Sequence, residues 1–208
     1  MKMTYIFIVA TAIFSYLGFN NRELFDKYKF NAYMVYHRKE WYRLLSHGFL
    51  HADWTHLFVN MLVLFFFGRH VENYLDLLES HGIIKFSKLF FVILYITAIA
   101  FSSSLSLIKH KDNHWYNSIG ASGAVSAVLF MSIFFGPWNF IYVFLALPIP
   151  GFIYGVLYLI YSQYMSRRGG DNIGHDAHFI GAVYGFFYPL IIGAPFHIFY
   201  NQLLNPTF

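Results

Sequence analysis

"IGASGAVSAVLFMSIFFG", residues 119–136, is an apolar run with a single serine placed in its glycine-flanked opening, at Ser122. A membrane-crossing helix needs about 20 mostly apolar residues. This stretch comes close, and Pro137 closes it, because proline cannot continue the helical hydrogen-bond ladder. The run therefore reads as a buried or membrane helix that begins on a hydroxyl.

The rest of the chain has the same character. Hydrophobic residues make up 58% of the 208 and charged residues 12%, with a mean hydropathy of +0.49. A soluble domain has about a quarter of its residues charged, so this is a membrane protein whose first partner is the lipid bilayer. The absence of cysteine excludes disulfides, thiol catalysis and zinc–thiolate sites. The net charge of +4 comes from 14 basic residues scattered over the connections. None of them forms the dense block that a nucleic-acid partner would require.

Outward from residues 119–136, five further stretches have the composition of spans: 3–19, 54–72, 83–108, 140–165 and 177–200. They predict a single all-α domain over 1–208, with six membrane helices. Pro148 and Pro150 should kink or break the first half of the fifth. The polar segment 20–53 is long for a connection and should carry structure of its own.

Polar groups inside hydrocarbon are costly, which makes intramembrane His, Asn and Ser candidates for function. His56 and Asn60 open the second span, Ser122 the fourth and His178 the sixth. In six alternating spans, the even-numbered helices all begin on one side of the bilayer. These four groups should then share a depth just below one face. Gly181 and Gly185 follow His178 in small-xxx-small register, and Gly120 with Ala124, or Gly123 with Ala127, repeats it around Ser122. Such faces let helices approach closely.

Close approach matters because a base must come within about 2.6–3.2 Å of the hydroxyl it deprotonates. Ser122 at a helix start, where free N–H groups favour negative charge, suits a nucleophile for acyl transfer. His178 is the base, with His175 a rival assigned to the preceding loop. Asp176 should point away on the helix, leaving a Ser-His dyad without a carboxylate. His56 and Asn60, at i and i+4, share a helix face and could supply oxyanion donors, the alternative for Asn60 being a hydrogen bond that joins two helices.

These residues, with "EWYRLLSHGFLHADWTHLFVNMLVLFFFGRHVE" (40–72), "GASG" (120–123) and "AHFIGAVYG" (177–185), resemble the rhomboid intramembrane serine proteases over essentially the whole chain. The resemblance implies a six-helix core, a first connection partly embedded in the bilayer, and no cofactor or metal. It implies Ser122 as nucleophile, His178 as base, and His56 and Asn60 as the oxyanion pair. Arg43 and Glu72 would brace the first connection and the helix ends, and His47 and His51 would be structural. The substrate would be the transmembrane helix of another protein, admitted past the fifth span. One departure stands out: the position four after the nucleophile, aromatic in the family, is Ser126.

Two readings compete with a protease. The clustered His47, His51 and His56, completed by His175 and His178, could form a metal or haem site in a polytopic membrane protein. The same fold could also bind transmembrane helices without turnover. The resemblance places the N-terminus in the cytoplasm, which leaves ten basic residues outside, against the usual bias. The short chain reads as a protein of a prokaryotic cell membrane.

Overall fold

A computed structural model describes residues 1–143, 146–168 and 174–205. Helix α1 (Met3–Asn20) is apolar, and its first amides are capped from elsewhere in the chain. The Glu72 carboxylate accepts from Met3 N–H at 2.6 Å, Thr4 N–H at 3.1 Å and Thr4 Oγ1 at 2.6 Å. A buried anion there also meets the positive end of the helix.

The connection that follows is structured, as its length implies. It holds α2 (Arg22–Tyr28), β1 (Phe30–Asn31), α3 (Ala32–Arg38), α4 (Arg43–Ser46) and a 3₁₀ turn over His47–Phe49. Asn21 and Asn31 cap α2 and α3 through their side-chain oxygens, the usual work of asparagine at a helix start. Phe30, Ala32 and Val35 form a small core of their own beneath this segment.

The chain then turns into α5 (Trp54–Ser80), where the Asp53 side chain accepts the His56 N–H at 2.8 Å. Next come α6 (Ser87–Ser102), α7 (Ser104–His110) and β2 (Asn117–Ser118), which pairs antiparallel with β1. This pairing ties the first connection to the approach to α8 (Ser122–Phe135). Helix α8 is the axis of the molecule. Every residue from Gly123 to Phe135 is buried, with α5, α6 and α10 (His175–Ile191) packed around it. At about 1.5 Å per residue it spans about 21 Å, short of the roughly 30 Å hydrocarbon layer. Enclosed by its neighbours, it can start below the membrane face.

Among the described residues, the expected stretch 140–165 begins as strand and continues as helix. β3 (Phe140–Val143) and β4 (Leu147–Pro150) form an antiparallel hairpin, and α9 (Gly151–Arg168) begins only after Pro150. Pro148 and Pro150 lack the N–H that a helix needs, so the hairpin takes the chain that a longer helix would have used. The sixth stretch is also cut short. α10 ends at Ile191, Gly193 adopts φ +92°, and a separate α11 (His197–Leu204) follows. Among the described helices, Met3–Asn20 and Ser87–His110 are long and apolar enough to cross a membrane. The pair Arg43–Phe49 and Trp54–Ser80, bent by 94°, makes a third if it is one span.

Candidate active site

The site is built around the three residues before α8. Gly120 adopts φ +115°, a conformation that glycine alone takes readily, and a Cβ there would lie 2.8 Å from Cε1 of His56. Glycine is required on both counts. Its N–H donates to the His47 carbonyl at 3.0 Å. The next amide, Ala121 N–H, donates to His51 Nε2 at 3.4 Å.

The tautomer of His51 follows from its other partner. Ser15 Oγ gives its only proton to the Phe49 carbonyl at 2.9 Å, so it accepts from His51 Nδ1–H at 3.0 Å. Nε2 is then unprotonated and free to accept from Ala121. His47 and His51 thus hold the turn before Ser122, one through its carbonyl and the other through its ring. His47 also packs its ring edge-on against Phe30, centroids 5.5 Å apart.

Ser122 is half-buried and is the one residue of α8 that is not buried. Ala121 occupies the cap position without a side-chain hydrogen bond to the first turn. Helix-start N–H groups therefore remain available to a negative charge. The α8–α10 crossing is at backbone contact. A Cβ on Gly181 would collide with the Gly123 carbonyl, and one on Gly185 with the Ala127 carbonyl. A Cβ on Gly123 would meet the Ser102 side chain of α6 and come 3.4 Å from the Ala177 carbonyl. Ala177 and His178 therefore lie beside the first turn of α8.

His178 is half-buried. Among the described residues no hydrogen bond joins Ser122 Oγ to His178. Catalytic hydrogen bonds are often long before substrate binds and tighten afterwards. His56 stands on the other side, its ring against Gly120 and edge-on to His51 at 4.8 Å. Buried Asn60 donates from Nδ2 to the His56 carbonyl at 2.9 Å. One of its amide protons is engaged with its own helix, and the second remains. The starts of α5, α8 and α10 thus meet at one end of the bundle.

Arg43 and Glu72 lie further out. Arg43 is buried, pairs with Glu40 at 2.5 Å, and donates through Nη1 to the carbonyls of Asp26 at 2.9 Å and Lys29 at 2.8 Å. It ties α4 to the end of α2. Burial pushes the Glu40 carboxyl up, but hydrogen bonds from Arg43 and Tyr42 outweigh it and hold the group below its ordinary value. Glu72 caps α1, as described above. Asp176 turns away from His178, pairing with Lys109 at 2.7 Å and accepting from Ser166.

Sequence reasoning missed Tyr158 of α9. Its hydroxyl lies 2.6 Å from Ser126 Oγ, and its ring lies 6.3 Å from that of His178 at an interplanar angle of 28°. Nothing local separates it from the other tyrosines, of which the chain has 17 in all. The clustered histidines do not assemble as a metal site. Among the described residues, no three His, Asp or Glu side chains are placed to hold one ion.

Fold and composition define an all-α integral membrane protein in which several helices enclose a short central one. A family model of the Rhomboid domain matches residues 38–195. The chain belongs to the rhomboid family. It is also similar to the RHOMBOID-like protein 12, mitochondrial, of Arabidopsis thaliana, with 27% identity over 154 residues that cover 67% of this chain and 43% of that relative. The chain thus spans less than half the length of that relative.

Proposed function

We propose that this protein is an intramembrane serine endopeptidase that hydrolyses peptide bonds in or near transmembrane helices of other proteins. The observation that carries the reading is the meeting of three helix starts around Ser122: Gly120 against His56, and Gly123 against Ala177 beside His178. In the reaction, His178 takes the proton of Ser122 Oγ as the oxygen attacks the scissile carbonyl. It then returns a proton to the leaving amine, and water releases the acyl group by the same steps. His56, the free N–H of Asn60 and the amide of Ser122 face the developing oxyanion.

A substrate helix must unwind before its amides can be attacked. Segments weakened by glycine or proline are cut most readily. Gly120 and Gly123 leave room for the scissile carbonyl at Ser122, and small residues are expected at the cleavage site. Access is lateral, past α9, whose exposed face carries Ile153, Leu157 and Ile160. A prokaryotic cell membrane, expected from the short chain, has no support in the comparisons, since the matched relative is named as mitochondrial.

The test is labelling of the purified protein with a fluorophosphonate, followed by mass spectrometry of the modified peptide. A label on Ser122 that disappears in His178→Ala supports the protease. An unlabelled protein that still captures transmembrane helices would make it a helix-binding relative without turnover.

A further inference from the structure

We infer that Tyr158 is a positioning residue that holds the His178 imidazole, with Ser126 as its anchor. The inference rests on the protease reading for its importance, though not for its geometry. Helix α9 packs on α10 and α8, and Tyr158 reaches both. Ser126 Oγ donates its only proton to the Ser122 carbonyl at 2.8 Å, so the hydroxyl contact at 2.6 Å runs from Tyr158 O–H to Ser126 Oγ.

The phenol is thereby fixed at its far end. Its ring packs against Phe130 at 5.5 Å and Tyr154 at 5.8 Å. What it presents to His178 is a face near parallel to the imidazole, while His175 meets the same imidazole edge-on at 5.9 Å and 77°. Two rings from two helices therefore bracket the proposed base. The link from Ser122 carbonyl to Ser126 to Tyr158 ends on His178, so the base takes its position from the backbone of the nucleophile. A base on one helix and a nucleophile on another need such a tether, since a misplacement of about 1 Å can cost about 10²-fold in rate.

The test uses the full chain in detergent or nanodiscs with four variants: Tyr158→Leu, Tyr158→Phe, Ser126→Ala, and the last two combined. Helical circular dichroism and melting select folded protein. Tyr158→Leu should slow fluorophosphonate labelling of Ser122 by about 10²-fold, lower kcat on a transmembrane substrate with KM little changed, and move the acid limb of the pH profile. It should also shift the nitrogen resonances of the His178 imidazole. Tyr158→Phe and Ser126→Ala should each cost about 5- to 10-fold, the worth of one hydrogen bond. Their combination should cost no more than one alone, because both break the same link. Among the described residues, Tyr158 and His175 are titratable groups whose rings meet His178, and Asp176 is paired with Lys109. A His175→Asn control therefore separates its share of the pH shift.

Unchanged His178 resonances in folded Tyr158→Leu would overturn the positioning role whatever the activity. Losses that multiply in the double variant would overturn the Ser126 anchor. Shifted resonances in a protein whose Ser122 is never labelled would uphold the positioning and remove the protease reading.

Discussion

The His51 ring accepts the Ala121 amide 70 residues further along the chain, and its other nitrogen is held by Ser15 of α1. One imidazole thus links α1, the start of α5 and the turn before Ser122. Replacing it with alanine leaves Ala121 N–H without its acceptor in a buried place, a cost of about 1–3 kcal/mol. His51→Ala should therefore melt earlier in detergent and label more slowly at Ser122, whereas Ser15→Ala should show the smaller effect on both. Equal labelling rates in His51→Ala and wild type would mean that the turn holds itself.

The α8–α10 crossing gives a sharper expectation. Gly181 and Gly185 sit where a Cβ would strike the backbone carbonyls of Gly123 and Ala127, and backbone cannot yield as a side-chain tip does. Gly181→Val should force the helices apart, destabilise by about 1–3 kcal/mol as overpacking does, and abolish labelling at Ser122. Val183→Leu, two residues on and turned to another face of the same helix, is the comparison. A Gly181→Val protein that melts and labels as wild type does would show that the contact is not tight in the membrane.

How much of this could be read beforehand depends on the range of each interaction. Ser122, His178, His56 and Asn60 stand out because a polar side chain in an apolar run is conspicuous, and each opens its run, which is where the helix starts meet. The glycines of α10 were visible as a register, and the backbone contact they permit is what the structure adds. The β3–β4 hairpin was hidden because "FIYVFLALPIP" (140–150) is as apolar as a helix, and a short apolar run has no period to separate the two. The two prolines marked the break and not the form it takes. Tyr158 could not have been singled out, since its meaning comes from Ser126 and His178, which lie on other helices. Ser126 was legible only as a departure, and its partner only in three dimensions.

Acid stability should carry the signature of Glu40. Its carboxyl is held below the ordinary value in the folded protein by Arg43 and Tyr42, against the opposing effect of burial. A folded pKa lower than the unfolded one contributes stability that is fully present above the unfolded value of 4.5 and is lost as pH falls through the depressed folded value. The melting temperature should therefore decline below about pH 5, and Glu40→Gln should flatten part of that decline while lowering stability at neutral pH. Parallel curves for the two proteins would assign the acid loss to other carboxylates.

Glu72 offers a test of the first helix. Its carboxylate accepts three hydrogen bonds from Met3 and Thr4 while almost fully buried. Hydrogen bonds to a charged group are worth about 1.5–3 kcal/mol each, so Glu72→Ala should rank among the most destabilising single changes. Glu72→Gln keeps one acceptor oxygen and should fall between the two. Because Glu72 lies 16 residues along α5 from His56, about 24 Å at the helical rise, folded Glu72→Gln should label at Ser122 as fast as wild type. A slower label would mean that α1 reaches the site through more than its own packing.

His56 and Asn60 should not be equivalent. On the protease reading His56 is an oxyanion donor, and losing one such donor costs about 10²- to 10³-fold in kcat; its ring lies against the Gly120 turn. Asn60 already spends one amide proton on the His56 carbonyl, so Asn60→Ala removes both a donor and a brace on the turn of helix that carries His56. Its loss should appear in kcat and also in the melting temperature, while His56→Ala should lower kcat with little change in melting. Kinetics on one transmembrane substrate, with KM measured alongside, distinguish the two roles. A His56→Ala variant that retains kcat would remove His56 from the oxyanion site and leave Asn60 and the Ser122 amide as its donors.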